Sequence, residues 1–275
     1  MEKLISLITK YKALNLQNVI DHDRFNQYAI VHHSSGIEGS TLTETETRLL
    51  LEEGTTPKGK PLEHSLMVKD HFEALQFVLN AAKEQRKVDI EFIQAINAKV
   101  MKSTGSVYQT VFGEIDASKG AFRKGNVSAG GSYFVNFDKV VNYTERLVIS
   151  LKEQMEIANT ITEQLRLSFV AHFDLVSIHP FYDGNGRTNR LLMNFIQAYF
   201  KLPLAIVYQE DKKEYYDALV ASRKSENTIA FEVFMENQYQ KFLALEIAQF
   251  EKDMSKNLHT NKKKWPGNGF SIFFG

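Results

Sequence analysis

The residues best suited to chemistry lie within the segment 179–190, His-Pro-Phe-Tyr-Asp-Gly-Asn-Gly-Arg-Thr-Asn-Arg. His179 has a side chain whose pKa is normally close to neutral pH, so it can act as a general base. Asp183 is the one acid of the segment, and a single carboxylate combined with phosphate oxygens is the usual way in which a protein holds Mg²⁺. These two residues predict proton transfer beside a metal-bound phosphate group.

The same segment has the features of an anion site. Gly184 and Gly186 allow the backbone to turn sharply and to approach a ligand closely. A periodic helix begins near Arg187, and its unpaired N–H groups point into the loop. Arg187 and Arg190 are three residues apart, so both can project along one helix face. Two guanidinium groups above a helix N-terminus suit a polyphosphate, and the segment therefore predicts phosphoryl or nucleotidyl transfer to a hydroxyl group.

The whole segment resembles the Fic signature, His-x-Phe-x-Asp/Glu-Gly-Asn-Gly-Arg-x-x-Arg, at every defined position. Taken singly, a histidine, a glycine-rich turn or a pair of arginines is usually structural, but a chance match to the complete pattern is on the order of one in 10⁸. The resemblance implies a protein adenylyltransferase, which moves AMP from ATP to a hydroxyl side chain of a target protein. It further implies that His179 deprotonates this hydroxyl group and that Asp183 holds Mg²⁺, with ATP as the substrate.

The resemblance assigns ATP binding to Gly184, Asn185, Gly186, Arg187, Arg190, Tyr215 and Tyr216. The two tyrosines belong to segment 214–219, which resembles the border of the family's adenine pocket. Gly186 favours AMP transfer, because the Doc-like relatives that phosphorylate their targets carry Lys at this position. Arg223 lies near a position where related adenylyltransferases can place an Asn that contacts adenine. The sequence therefore departs from the family pattern at one residue that can contact adenine.

Residues 120–135 resemble the family's flap, a hairpin that covers the active site. A Gly-Gly pair between two short β-prone runs predicts a tight hairpin within residues 122–137, the one convincing β segment of the chain. The resemblance implies that the flap holds the target peptide by strand addition, through main-chain contacts that depend little on sequence. The target-binding residues implied in this way are Ala129, Gly130, Gly131 and Ser132.

A second motif lies close to the N-terminus. Ser34, Glu38 and Gly39 match the family's inhibitory pattern, Ser/Thr-x-x-x-Glu-Gly/Asn. Its position before the signature implies the subclass with an N-terminal inhibitory helix. The resemblance implies that Glu38 pairs with Arg190 and occupies the donors that the γ-phosphate of ATP needs. ATP would then bind with its α-phosphorus misaligned for in-line attack.

Apolar residues recur at helical spacing along most of the chain. The run from Ile161 to Val176 predicts a long central helix that ends at the signature. Thr43 and Glu46 form the pattern of a capping box, and Asp89 is a candidate N-cap. We therefore predict a mainly-α fold, namely a Fic-type helical domain with a β-hairpin flap and an N-terminal helical arm. The expected division is an arm with the inhibitory motif at 1–60, the catalytic domain at 61–250 and a tail of unknown role at 251–275.

Composition limits the partners. Lys and Arg together number 33, as do Asp and Glu, so the net charge is zero and broad binding to nucleic acid or anionic membrane is disfavoured. A local basic patch is present at Lys262-Lys263-Lys264. The chain has no cysteine, which excludes disulfides, thiolate zinc sites and cysteine nucleophiles. No apolar run approaches the ~18 residues of a membrane span. We expect a soluble, cytoplasmic protein; the family often forms homodimers, although the sequence shows no interface signature.

Other functions are compatible with the same residues. The site could remove AMP from a modified protein, with Glu38 positioning a water molecule, or it could transfer UMP or another phosphate-linked group. A nucleotide-sensing regulatory module is an alternative of a different class, but sensing needs no general base. A DNA-binding regulator is disfavoured by the neutral charge and by the short remainder after residue 250. The target protein, its modified residue and the signal that relieves inhibition are not encoded in any recognisable pattern.

Overall fold

The computed structural model describes residues 1–15, 22–111, 113–129 and 132–263. Helices dominate these ranges, which confirms the predicted mainly-α fold. In chain order the helices are α1 (Glu2–Ala13), α2 (His22–Ile37), α3 (Glu44–Glu53), α4 (Leu62–Lys83), α5 (Ile90–Val100), α6 (Val140–Ile157), α7 (Ile161–Ile178), α8 (Asn185–Tyr199), α9 (Lys212–Lys224) and α10 (Ile229–Lys263). The strands are β1 (Val107–Thr110), β2 (Gly113–Asp116), β3 (Ser128–Ala129) and β4 (Ser132–Tyr133). Within the described ranges, no helix combines the length and the apolar character needed to cross a bilayer.

Side-chain caps begin two helices where the sequence predicts them. The Thr43 hydroxyl accepts a hydrogen bond from the Glu46 N–H at 3.2 Å, and the Glu46 carboxylate accepts one from the Thr43 N–H at 2.8 Å, so the capping box of α3 is confirmed. The Asp89 carboxylate accepts from the N–H of Phe92 at 2.6 Å at the start of α5. These bonds pair N–H groups that have no partner within their own helix.

Helix α8 lies at the centre of the bundle, packed against α7, α4 and α5. Every residue from Arg187 to Gln197 is buried, so this helix has no solvent-facing side over that length. Phe195 meets Phe92 of α5 edge to face, with ring centroids 4.7 Å apart. Because neighbouring helices enclose α8, its first turn is held firmly at the end of α7.

The N-terminal helices pack directly onto the rest of the domain. Leu4 and Ile8 of α1 are fully buried, and α1 packs against α10. The N-terminal ammonium group of Met1 forms an ion pair with the Glu236 carboxylate at 2.7 Å. Helix α2 packs against α4 and also contacts α8. The predicted domain limits remain predictions, and α10 continues across position 250 to Lys263.

The strands form two short antiparallel hairpins. In the predicted flap, Ser128 pairs with Tyr133 and Ala129 with Ser132, whereas Gly130 and Gly131 lie outside the described residues. The β1–β2 hairpin, in which Val107 pairs with Asp116, contradicts the expectation that 122–137 is the one β segment. Its strands carry few apolar residues and no side chain of β1 is buried, so the sequence has little β-type alternation there.

We predict that Thr160→Ala lowers the free energy of unfolding by about 1 kcal/mol, because it removes one half of a capping box. The Thr160 hydroxyl accepts from the Glu163 N–H at 3.2 Å at the start of α7, and the Glu163 carboxylate bonds back to the Thr160 N–H at 2.9 Å. Urea denaturation at neutral pH measures the change. Thr162→Ala, inside the same first turn, is the matched control, and an equal loss in both variants would contradict the capping contribution.

Candidate active site

Segment 179–190 forms the corner between α7 and α8, and it lines a cavity of about 590 Å³. A cavity of this size accommodates a nucleotide-sized ligand. The flap, the β1–β2 hairpin, the residue that follows α2 and helix α9 complete its walls. The sequence-predicted site residues that line it are Glu38, His179, Asp183, Gly184, Asn185, Gly186, Arg190, Tyr215 and Tyr216. Residues from five separate parts of the chain therefore meet at one place.

His179 ends α7 in the left-handed region, with φ 53° and ψ 61°. The ring of Phe134, from the flap, stacks on the imidazole with centroids 3.9 Å apart. Burial, followed by the positive charges of Arg123 and Arg223, lowers the pKa of His179 to about 4. The imidazole is therefore neutral at neutral pH, as a general base must be before it accepts a proton.

Hydrogen bonds within the corner hold the turn that follows His179. The Asn185 side chain bonds both backbone groups of Phe181, accepting from its N–H at 3.0 Å and donating to its carbonyl at 2.9 Å. The Asn97 side chain donates to the carbonyl of Asp183 at 3.0 Å. Gly184 has φ 75°, and a Cβ atom there would lie 2.6 Å from the sulfur of Met101. Glycine is thus required both by conformation and by space.

Asp183 presents an exposed carboxylate to the cavity. One of its oxygens accepts from the N–H of Gly184 at 2.5 Å, which leaves the other oxygen available to a ligand. Among the described residues there is no group of three or more His, Cys, Asp or Glu side chains that could enclose a metal ion. A single free carboxylate in a nucleotide-sized cavity fits Mg²⁺ that is bound mainly through substrate phosphates and water.

Arg190 is buried, and helix α2 supplies most of its partners. Its Nε donates to the Ser34 hydroxyl at 2.8 Å, and its Nη2 donates to the Ser34 carbonyl at 3.1 Å and to Glu38 Oε1 at 2.6 Å. Burial alone would raise the pKa of Glu38, but the charges of Arg190 and Arg187 outweigh it and the pKa lies below its ordinary value. The carboxylate is therefore ionised in this ion pair. Helix α2 ends at Ile37, and Gly39, with φ 105°, turns the chain directly after Glu38.

The Glu38 carboxylate lies directly above the start of α8. A Cβ atom on Gly186 would lie 2.2 Å from Glu38 Oε1 and 3.2 Å from Arg190 Nη1. The first hydrogen bond within α8 runs from the N–H of Thr188 to the carbonyl of Gly184 at 2.9 Å. The N–H groups before Thr188 form the positive end of the helix dipole. Glu38 thus places a negative charge where the helix and Arg190 would receive an anion.

Arg187 does not line the cavity. It is buried, and its guanidinium group donates to the Val100 carbonyl at 3.3 Å and contacts the Met101 sulfur at 3.2 Å. Its charge still acts on the site, because it is the second largest electrostatic contribution that lowers the pKa of Glu38. Direct phosphate contact by Arg187 remains a prediction, and it requires a change of side-chain position.

The two tyrosines of α9 occupy different environments. Tyr215 is buried, and its hydroxyl lies 3.0 Å from Nε2 of His172. Tyr216 is 43% exposed. Arg223 lies about two turns further along α9. Its guanidinium carbon lies 5.3 Å from the centre of the Phe134 ring, and its Nε donates to the Ser177 hydroxyl at 3.3 Å. Tyr216 is therefore the more accessible of the two predicted adenine contacts.

Nine of the residues that line the cavity are not among the predicted site residues, and three of these nine are aromatic. Phe134 lies within the segment that is predicted to form the flap and stacks on His179. An aromatic residue beside the hairpin was therefore the sequence feature that could have identified it. Tyr108 comes from the unpredicted β1–β2 hairpin and stacks on Tyr182 with ring centroids 4.7 Å apart. No spacing in the sequence indicates that these two tyrosines meet. Target binding by Ala129 and Ser132 remains a prediction that rests on their position in the flap hairpin.

A family model described as the Fic/DOC family matches residues 87–197. Protein adenylyltransferase Fic from Drosophila melanogaster is 31% identical over 190 residues, which cover 69% of this chain and 36% of that protein. Protein adenylyltransferase fic-1 from Caenorhabditis elegans is 31% identical over 200 residues, which cover 71% of this chain and 36% of that protein. The chain therefore spans little more than a third of the length of these relatives.

Solved structures share the fold. A Fic-domain-containing signaling protein from Bacteroides thetaiotaomicron superposes with a TM-score of 0.76 at 23% identity, covering 89% of this chain and 96% of that one. A fragment of Fic-1 from C. elegans, residues 134–508, gives a TM-score of 0.72 at 23% identity and covers 92% of this chain and 72% of that one. These structures support the helical architecture.

We predict that Glu38→Gln lowers the free energy of unfolding by about 1.5–3 kcal/mol at pH 7, because it removes a charged hydrogen-bond partner from a buried guanidinium. The folded-state pKa of Glu38 is lowered, so its contribution is present above the unfolded-state pKa of about 4.3 and is lost as the pH falls through the folded-state value. The difference in the free energy of unfolding between the parent protein and Glu38→Gln should therefore become smaller at acidic pH. Urea denaturation at pH 7 and at about pH 3 measures it.

Glu52→Gln is the matched control, because Glu52 forms an exposed pair with Arg48 at 4.0 Å on α3. We expect Glu52→Gln to change the free energy of unfolding by less than about 0.5 kcal/mol. Equal losses in the two variants, or a Glu38→Gln loss that is unchanged in acid, would contradict the stabilising role of the ion pair.

Proposed function

The chain carries a domain of the Fic/DOC family, and we propose that it is a protein adenylyltransferase inhibited by its own Glu38. The observation that supports this proposal best is the single cavity shared by His179, Asp183 and Arg190. A neutral imidazole, a free carboxylate and a guanidinium group at a helix N-terminus suit transfer of a nucleotide to a hydroxyl group. Relatives with about 30% identity over most of this chain are named protein adenylyltransferases, which agrees with the same reaction.

In the proposed reaction, the hydroxyl oxygen of a target side chain attacks the α-phosphorus of ATP. A bond forms between that oxygen and the α-phosphorus, and the bond to the β-phosphate bridging oxygen breaks, so that pyrophosphate leaves. His179 accepts the hydroxyl proton as the attack proceeds. The N–H groups at the start of α8 and the guanidinium of Arg190 bind the phosphate oxygens. Mg²⁺ held by Asp183 would neutralise phosphate charge.

Helix α2 opposes this reaction in the proposed resting state. The Glu38 carboxylate occupies Arg190 and lies over Gly186, so a γ-phosphate and Glu38 cannot use the same donors together. ATP that binds beside Glu38 is displaced from the geometry needed for in-line attack. A displacement of about 1 Å can lower a reaction rate by roughly 100-fold.

The target protein is proposed to bind along the flap. The β3–β4 hairpin has only two residues in each strand, and Tyr133 is 90% exposed. An edge strand of this kind can accept an extended segment through main-chain hydrogen bonds, which require little sequence specificity. ATP and a protein target are thus the proposed partners. A homodimer and a cytoplasmic location remain predictions.

A second activity on the same cavity is removal of AMP from a modified protein. Glu38 Oε1 is used by Arg190, whereas Oε2 has no hydrogen-bond partner within the described residues. An ionised carboxylate that faces the cavity with one free oxygen can hold a water molecule for attack on phosphorus. Hydrolysis of this kind would require Glu38, whereas AMP transfer would be inhibited by it, so the two activities respond oppositely to loss of this side chain.

We predict that Glu38→Gly raises self-modification with α-labelled ATP by about 100-fold, because it frees the Arg190 guanidinium. Labelling is measured by autoradiography and the transferred group by mass spectrometry of the intact protein. Glu52→Gly is the control, since Glu52 lies on α3 outside the cavity. Unchanged labelling in Glu38→Gly would contradict inhibition by Glu38.

Adding His179→Ala to the Glu38→Gly protein should lower labelling by about 10²–10⁴-fold, the usual contribution of a general base. Full labelling in this double variant would show that His179 is not the base. Incubation of the AMPylated protein with the parent protein, and separately with Glu38→Gly, distinguishes AMP transfer from AMP removal. Faster release of AMP by the parent would support hydrolysis.

A further inference from the structure

Arg123 lies at the base of the flap, and its side chain is buried. Its guanidinium group donates to four backbone carbonyls: Nε to His179 at 2.8 Å, Nη1 to Gly125 at 2.8 Å, and Nη2 to Val135 and to Ile178, the latter at 3.5 Å. The N–H of Arg123 also donates to the carbonyl of Pro180 at 2.9 Å. One side chain therefore joins three segments of backbone.

No acidic side chain pairs with Arg123 in the part of the chain that the structure describes. Its charge is compensated by carbonyl oxygens, two of which belong to Ile178 and His179 at the end of α7. The last carbonyls of a helix have no partner within it and carry the negative end of the helix dipole. A buried guanidinium is stabilised there, whereas a neutral side chain would leave these carbonyls unpaired.

These bonds make the flap and the corner of the active site one unit. Gly125 and Val135 lie on the two limbs of the flap, before β3 and after β4. Phe134, adjacent to Val135, stacks on the imidazole of His179. Arg123 thus fixes the backbone of His179 by the hydrogen bond to its carbonyl group. It also fixes the imidazole ring of His179, because it holds the flap that carries Phe134.

We propose that Arg123 is a positioning residue for the proposed AMP transfer, which holds both limbs of the flap and the backbone of His179 in one geometry. This inference rests on the proposed function for its kinetic consequences. The guanidinium group has no place in the cavity lining, so it acts through His179 and the flap rather than on ATP. Loss of the side chain should impair the chemical step more than nucleotide binding.

Arg123 also influences the protonation of His179. Burial lowers the pKa of His179 most, the positive charges of Arg123 and of Arg223 on α9 lower it further, and Glu38, directly after α2, opposes them. Asp183 is the acid of the corner itself. A neutral residue at position 123 should therefore raise the pKa of His179, whereas lysine should leave it close to the parent value. A purely structural role for Arg123 would not distinguish the two substitutions in this way.

The test uses the Glu38→Gly protein as the parent, with Arg123→Gln, Arg123→Lys and, as control, Arg48→Gln on the exposed face of α3. We expect both Arg123 variants to lose about 10- to 100-fold in kcat for self-modification, with KM for ATP nearly unchanged. Hydrogen exchange of residues 124–136 should accelerate in both. NMR titration of the His179 ring should show a raised pKa in Arg123→Gln alone.

Parent-like kcat and parent-like flap exchange in folded Arg123→Gln would overturn the proposal, as would an effect confined to KM for ATP. Circular dichroism shows whether Arg123→Gln folds. If it does not fold, the proposal is tested with Arg123→Lys, and hydrogen exchange of the flap at the parent rate in that variant overturns the proposal. If the Glu38→Gly parent itself does not label, the proposed function fails. The exchange and NMR measurements then still decide whether Arg123 positions the flap and His179.

Discussion

The ion pair between Arg190 and Glu38 connects the N-terminal helices to the centre of the domain. A guanidinium buried inside a helical bundle is costly unless acceptors satisfy it. Ser34 lies in the last turn of α2 and Glu38 follows the end of that helix four residues later, so both meet Arg190 from the same side. In the proposed function, the donors engaged in this way are those that a phosphate needs. The same contact that stabilises the packing of α2 would then also fill the proposed anion site, so that stability and inhibition would depend on one interaction.

The corner between α7 and α8 is equally constrained. It contains two left-handed residues, His179 and Gly184, and hydrogen bonds from Asn97, Asn185 and Arg123 hold it from three directions. A backbone conformation of this kind persists only where the surroundings over-determine it. The result is an imidazole beside an open helix N-terminus, with Asp183 between them in the chain. In the proposed reaction, the reacting groups would be held in positions set by the backbone rather than by flexible side chains.

Much of this organisation is readable from local patterns. The signature, the capping box at Thr43 and the helical periodicity all reflect interactions between residues close in sequence, and the fold confirms them. The β1–β2 hairpin escaped prediction because its strands have too few apolar residues to produce alternation. Arg187 and Arg190 show that the spacing of residues along a helix does not determine which side chains reach the cavity. Both lie on α8, yet packing against α5 turns Arg187 toward Val100 while Arg190 reaches the cavity.

The sequence by itself determined the mainly-α class, the family resemblance and the location of the turn that is predicted to bind phosphate, because each depends on residue types at short separations. Only the tertiary structure decided which side chains share the cavity, since Glu38 and Arg190 are 152 positions apart and Arg123 and His179 are 56 apart. It also decided that Tyr215 points toward His172 while Tyr216 remains accessible. Such outcomes depend on how whole helices pack and on which buried polar groups must be satisfied, and no local pattern in a chain records either.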